Sequence, residues 1–487
     1  MAFLNRFCTQ YAGALAHFWN KYPALQYGLA FLIGICASFY LTYLLLAAFL
    51  FKRLTWIVVS LGYVYSLFLY PDPQLVDDVS GTGVFHIREI KRTHTSFGSL
   101  LVYRGMLLTF HTRYDTFHRL NCQIRMKSTQ HRPLGTHDYL ISNVCLHKEH
   151  PHFFTLKTEK NTTWTPLKAA SFAEWRFRAK EKMRSWTHKR FQDRAVQHLI
   201  TGLITGQKAS RAQLSQFEQV GLSHLLVISG FHFAVLTGFL TFLLRSFVPR
   251  KLFVCIVMCW MSLYFLYIGE TASTARAWIG IMTYLMGGLL DRQHSSLNTL
   301  GVSLLIGLAS NPMIVLDLGF QLSFSATFGI LLLYLPVEKW LCQLFPKRTL
   351  AVLKQLTLID QCGSLLSAYL RKMLSLNLSV LSFTLPVVLF HFHRFTPLCL
   401  FYNLFFPPLF SLVIPSLILV FFLPFLLPIV ESYTHLLLRL VIYAPKKLMF
   451  SLGCSSCPQA IACGVFFISF LWGVHLHFRH STVVKSE

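Results

Sequence analysis

The sequence predicts a polytopic α-helical membrane protein with an inserted small soluble all-β domain, OB-like in its strand count. Three observations carry that fold class. Hydrophobic residues occupy 54% of the 487 positions and charged residues only 13%, against about 25% charged in soluble domains. Apolar stretches approaching the roughly 20 residues needed to cross a hydrocarbon core recur along the chain. Residues 71–195 form the one long stretch without such a run, and they hold 21 Lys plus Arg against 11 Asp plus Glu, with ten His. The formal charge of +25 therefore has two sources. Basic cytoplasmic loops are general in membrane proteins; a basic water-soluble domain needs a separate reason.

In chain order, residues 1–70 are N-terminal membrane helices. Their apolar runs at 27–51 and 56–70 are separated by Lys52 and Arg53, which the positive-inside tendency holds in the cytoplasm, so the chain emerges outside after Tyr70. Residues 1–51 fit either one span or a short hairpin. Residues 71–168 form the basic OB-like domain: runs at 84–90, 99–110, 122–126, 137–146 and 152–156, spaced by Gly, Pro, Asn and Ser, predict five strands of a small barrel. Such a barrel commonly grips single-stranded nucleic acid by placing aromatics and cations on one face; an all-β domain without a ligand is the competing reading. The candidate contact cations are Arg88, Lys91, Arg92, Arg104, Arg125 and Lys127. Cys122 and Cys145 also lie here, and a disulfide between them is open to a domain facing an oxidising compartment. The other cysteines fall mostly in apolar runs and imply no metal site, and the lone CxxC at 454–457 reads as loop cysteines.

Residues 169–195 read as a basic, partly amphipathic helix with Trp175, Trp186 and Phe191, lying on the membrane surface or over a channel mouth. Residues 196–430 form the main membrane domain, with spans near 222–244, 251–268, 274–290, 297–310, 319–335, 374–392, 398–413 and 414–430. Residues 431–487 add a connector, a last span near 460–478 and a short tail. Pro386, Pro407, Pro408, Pro415 and Pro424, with the Gly and Ser of 222–238, interrupt these spans. Irregular backbone at membrane depth survives only where protein or a water-filled cavity satisfies it, which points to a channel or transporter interior. Residues 337–372 and 435–450 are expected to be amphipathic connectors, with Arg371–Lys372 and Lys446–Lys447 at a lipid interface.

Residues 221–235 (GLSHLLVISGFHFAV) put His224, Ser229, Gly230 and His232 into an otherwise apolar span, where polar groups cost free energy unless they face an interior. This run resembles the signature of the ComEC family of DNA-uptake channels, approximately G-L-x-H-L-L-x-I-S-G-x-H. The resemblance continues, in the family's order, through 267–278 (YIGETASTARAW), 311–329 (NPMIVLDLGFQLSFSATFG), 385–395 (LPVVLFHFHRF) and 403–409 (NLFFPPL), covering roughly residues 196–425. It implies a multi-pass protein of the bacterial inner membrane that passes single-stranded DNA inward during natural transformation, with residues 71–195 on the periplasmic side. It further implies membrane lipids as surroundings, a separate DNA receptor, nuclease and ATP-driven motor as partners, and no cofactor. The family's C-terminal metallo-β-lactamase-like domain carries H-x-H-x-D-H. Here residues 475–480 read HLHFRH, with Arg479 in the place of Asp and seven residues following. The expectation is a channel rather than an enzyme, with the nuclease module absent, no metal ligands and no Walker motif.

Within the membrane domain only physical roles can be assigned. A central Arg costs about 2.5–3.5 kcal/mol on insertion scales. Arg276 therefore either pairs with Glu270, six residues upstream, or supplies positive potential along a route for phosphates. His224 and His232, eight residues apart, share a face if the segment is helical, lining a polar path or bonding a neighbour's carbonyl. Gln321, with Ser323 and Ser325, either bonds between helices or lines a pore, while His391, His393 and Arg394 suggest a membrane-interface cluster. Two rivals stand beside the channel. A secondary transporter or flippase for another anionic substrate also uses broken helices, but gives residues 71–195 no special role. A serine hydrolase with Ser229 as nucleophile and His232 as base lacks an orienting group.

Overall fold

The computed structural model describes residues 13–69, 78–95, 98–113, 115–127, 138–150, 153–167, 172–207, 210–291, 295–443, 452–453 and 459–483. The chain begins with α1 (Gly13–Lys21) and α2 (Pro23–Phe39), bent against each other by 105°. Pro23 opens α2, where its missing N–H costs nothing. Helices α3 (Tyr43–Leu50) and α4 (Trp56–Leu69) follow. α2 packs directly on α4 because Gly34 and Gly62 leave no side chain between them. A Cβ at Gly34 would run into the Val59 carbonyl, and one at Gly62 would stand 2.5 Å from that of Phe31. Small residues at such contacts are how helices pack closely in lipid.

Five strands then close a barrel: β1 (Val79–Thr95), β2 (Gly98–His111), β3 (Thr116–Lys127), β4 (Asp138–His150) and β5 (Phe153–Pro166), in the order β1-β2-β3-β5-β4. The β3–β5 pair is parallel and the others are antiparallel. Each expected run falls on one strand, apart from His137 and His152, the first residues of two runs, which lie outside the described residues, and alternation turns Phe85, Tyr103, Leu107, Ile124, Tyr139 and Leu156 inward. Cys122 sits in this core as a free thiol, so it forms no disulfide with Cys145. Trp164 also turns inward, against Tyr103 and Tyr139. Helix α5 (Phe172–Arg190) leaves the barrel with Ala173 and Phe177 inserted into the same core.

The rest is helical: α6 (Arg194–Thr205), α7 (Arg211–Gln219), α8 (Gly230–Leu244), α9 (Arg250–Ile268), α10 (Ala272–Leu289), α11 (Ser296–Ser310), α12 (Leu318–Leu344), α13 (Leu350–Gln355), α14 (Leu358–Phe392), α15 (Leu398–Ser411), α16 (Val413–Phe422), α17 (Leu427–Ile442) and α18 (Gln459–Val483). A two-residue strand pair, β6 (Arg394–Phe395) with β7 (Leu452–Gly453), ties the end of α14 to the segment before α18. Among the described residues, five helices or helix pairs are long and apolar enough to cross a membrane, and up to six if the bent α1–α2 pair is one span.

Several expected boundaries move. α12 continues through Pro336 to Leu344, and α14 is a 35-residue helix starting at Leu358, so most of 337–372 is helix rather than connector. Arg371 is correspondingly not at a lipid interface. It is 4% exposed, and its Nη1 donates to the Phe345 carbonyl at the C-terminus of α12 (2.7 Å), with Glu338 3.8 Å from its Nε. The expected 414–430 span breaks at Leu423–Leu426 around Pro424. Beyond it α17 buries Thr434, Leu437, Leu438 and Val441 instead of lying as a connector. Lys446, Lys447 and the CxxC lie outside the described residues.

Candidate functional site

The segment expected as a span from residue 222 is not one helix. Ser223–Leu225 form a short 3-10 turn, and α8 begins only at Gly230. The break is caused locally: the His232 ring folds back so that its Nδ1 accepts the Ser229 backbone N–H (3.1 Å), closing a capping box. With Nδ1 as acceptor, the neutral ring carries its proton on Nε2. His224 stays exposed on the turn, so it does not share a helix face with His232. Ser229 and His232 are thereby a helix cap, and among the described residues no carboxylate orients the ring. His232 is 1% exposed, and its Nε2 has no hydrogen-bond partner.

α9 ends at Gly269, whose φ of +102° turns the chain sharply into α10. Thr271 caps α10 by accepting the Thr274 N–H (3.3 Å), and the Thr274 hydroxyl donates to the Gly269 carbonyl (3.0 Å). Arg276, the fifth residue of α10, lies about 6 Å along its axis from the first residue. Its Nε donates to Ser323 Oγ (2.9 Å) on α12, and its guanidinium lies 5.9 Å from the Phe324 ring centre. Its Nη2 faces Gly230, where a Cβ would stand 2.9 Å away. Glu270 is exposed on the turn and makes no ion pair with Arg276. The nearest acid in sequence is the wrong partner: Glu270 acts electrostatically on Arg176 of α5 instead.

α12 begins behind Asp317, which accepts the Phe320 N–H (2.9 Å). One turn in, Gln321 donates from Nε2 to the Val315 carbonyl (2.9 Å), and its Oε1 accepts from His391 Nε2 (2.8 Å) near the end of α14. His391 therefore belongs to this cluster rather than to a separate interface patch, while Arg394 pairs in the short β6–β7 ladder. Four of the five sequence motifs thus meet in space. Because α8 and α9 form a hairpin, the N-termini of α8, α10 and α12 and the C-terminus of α9 gather at one end of the bundle. Three helix N-termini each add positive potential, and Arg276 adds a full charge with no carboxylate paired to it among the described residues. Asp317 offsets part of this at the start of α12.

That end is also the one the barrel occupies. On α5, Arg176 Nε donates to the Leu266 carbonyl (2.9 Å) and Lys180 Nζ to that of Ile268 (2.6 Å), both in the last turn of α9. Burial pulls the Arg176 guanidinium below its ordinary range and the Lys180 amine down to about 8. Sequence reasoning missed both, since a basic amphipathic helix does not reveal which carbonyls it meets. On the barrel, Arg88, Arg104 and Arg125 are exposed. Arg104 pairs in register with Gln123 and Arg125 with Val102, which puts both arginines on the outer face of β2–β3. Lys127 stands opposite Leu100 at the strand end. Arg92 is committed to Glu181 of α5 (2.9 Å) and Lys91 to Glu89 (2.9 Å).

Fold and site together define a multi-pass helical membrane protein with an all-β barrel seated at one end of its bundle. The family model described as Competence protein matches residues 203–479, more than half of the chain. The chain belongs to that family. It is 27% identical over 202 residues to ComE operon protein 3 of Bacillus subtilis (strain 168). That match covers 41% of this chain and 23% of the relative. No solved structure matches.

Proposed function

We propose that this chain conducts single-stranded DNA across the bacterial inner membrane during natural transformation, with the barrel on the periplasmic side as the strand's first contact. The observation that carries this reading is the convergence of four sequence motifs around Arg276. An uncompensated cation beside three helix N-termini is stable at a membrane edge when it faces water or an anion, and a DNA strand offers one phosphate after another. At an effective dielectric of 20, a cation 4 Å from a phosphate gains about 4 kcal/mol, enough to draw the backbone in. Contacts of this kind carry no sequence preference. Broken helices at 222–229 and 423–426 supply the irregular backbone that only a polar interior tolerates.

The barrel supports the same reading with Arg104 and Arg125 on the β2–β3 face, the face with which OB-folds hold oligonucleotides. Its aromatic side chains Tyr103, Tyr139 and Trp164 serve the core, so this face would hold the backbone by charge more than bases by stacking. A DNA receptor, a nuclease and an ATP-driven motor act as separate partners in this scheme. The test replaces Arg276 by Gln and follows labelled DNA in cells. Cytoplasmic arrival should fall while surface capture stays at the parental level. Unchanged arrival in a folded variant removes Arg276 from the path. A chain that moves anionic lipid but no DNA is instead a flippase.

A further inference from the structure

Helix α5 bridges two bodies. One side belongs to the barrel: Ala173 and Phe177 complete its core, and Glu181 pairs with Arg92 of β1. The other side reaches the membrane domain through Arg176 and Lys180, whose i, i+4 spacing puts them on one face. Their donors go to the Leu266 and Ile268 carbonyls, groups that the end of α9 cannot satisfy within the helix. Gly269 follows at once, and a Cβ there would stand 3.0 Å from Arg176 Nη1, so the guanidinium fills the space a side chain would take. From Gly269 the restraint passes directly to α10: its carbonyl accepts from Thr274, and Arg276 lies two residues further on. Lys180 is 6% exposed, an expensive place for an ammonium group unless it has work there.

We infer that Arg176 and Lys180 are positioning residues for transport: they clamp the α9–α10 turn to the barrel, so that strand bound on the barrel is presented to an Arg276 held in fixed register. This rests on the proposed DNA path and adds that the barrel is a rigid part of the mouth, not a tethered trap. The clamp sets where Arg276 stands and does not itself hold DNA.

The test uses the full chain in lipid nanodiscs and proteoliposomes. Lys180→Met should speed hydrogen exchange of the amides at 268–274 by about tenfold, the scale of losing one hydrogen bond to a charged donor. It should lower single-strand arrival in the lumen while leaving capture by the barrel unchanged. Lys180→Arg should restore both readings. Arg178→Gln, altering an exposed residue of α5 that pairs with Glu174, should match the parent. Exchange at the parental rate in Lys180→Met overturns the clamp, as does a faster turn with undiminished arrival. A faster turn in vesicles where even the parent transports no DNA upholds the clamp and overturns the DNA path instead.

Discussion

Replacing Gly230 by alanine separates the position of the Arg276 charge from its presence. The added Cβ would stand 2.9 Å from Nη2 and 3.7 Å from the Ala277 Cβ. Ordinary heavy-atom contact is about 3.5–4.0 Å, so the guanidinium has to withdraw by roughly 0.6–1 Å. The end of a flexible side chain can do so without unfolding its helix. If the Nε bond to Ser323 breaks in the process, about 1.5–3 kcal/mol is lost. Up to about 1 kcal/mol returns because alanine favours helix over glycine, so the net destabilisation stays within about 2 kcal/mol. At an effective dielectric of 20, moving a cation from 4 to 5 Å from a phosphate reduces the attraction from about 4.1 to about 3.3 kcal/mol. That difference is about fourfold in occupancy. The assay is nuclease-protected labelled single strand in proteoliposomes, normalised to folded protein by melting profile. Gly230→Ala should fold like the parent and transport about fourfold less. Parental transport would refute the placement of Arg276 on the path, and a failure to fold would refute the claim that the clash is relieved by the side chain.

Four further outcomes follow from the geometry. Removing Arg104 or Arg125 should each reduce the salt dependence of single-strand binding by about 0.7 in log–log slope, read by fluorescence anisotropy across ionic strength. Arg92→Ala should instead lower thermal stability through the lost Glu181 partner. Cys122 should resist thiol reagents in the folded protein and react only on denaturation, because burial raises its thiol well above the ordinary range; rapid labelling under native conditions would contradict the closed barrel. Lys180 gives a pH signature. Its amine titrates at about 8 when folded but at about 10.4 when unfolded, so between those values the unfolded chain binds more protons and stability rises with pH. The unfolding free energy of the parent relative to Lys180→Met should therefore climb from pH 8 to pH 10. A flat or falling difference would contradict its burial.

The fold class was legible because apolar length and strand alternation are local properties. Phe85, Tyr103 and Tyr139 announce an inward face whatever packs against them. The motifs were legible as a set, yet their meeting was not. Ser323 lies 47 residues from Arg276 and His391 lies 70 from Gln321, whereas Glu270, near in sequence, acts on Arg176 of α5 instead. The 222–229 break needed knowledge of one hydrogen bond, His232 Nδ1 to the Ser229 N–H. Arg371 read as interfacial because a cation in an apolar run usually seeks headgroups; here the open carbonyl end of α12 receives it. Arg176 and Lys180 were hidden for the same reason, since their partners are backbone atoms that no side-chain pattern marks.

The most direct measurement is cross-linking from inside the mouth. A benzophenone side chain in place of Phe324, the ring beneath the Arg276 guanidinium, is illuminated while a labelled single strand is stalled in transit by a bulky block at its trailing end. Conduction through this mouth predicts a covalent adduct to the DNA, lost when unlabelled strand competes. The same probe at Phe422, 79% exposed at the end of α16, should label lipid alone. Lipid adducts at both positions, with none to DNA during active uptake, would contradict the path.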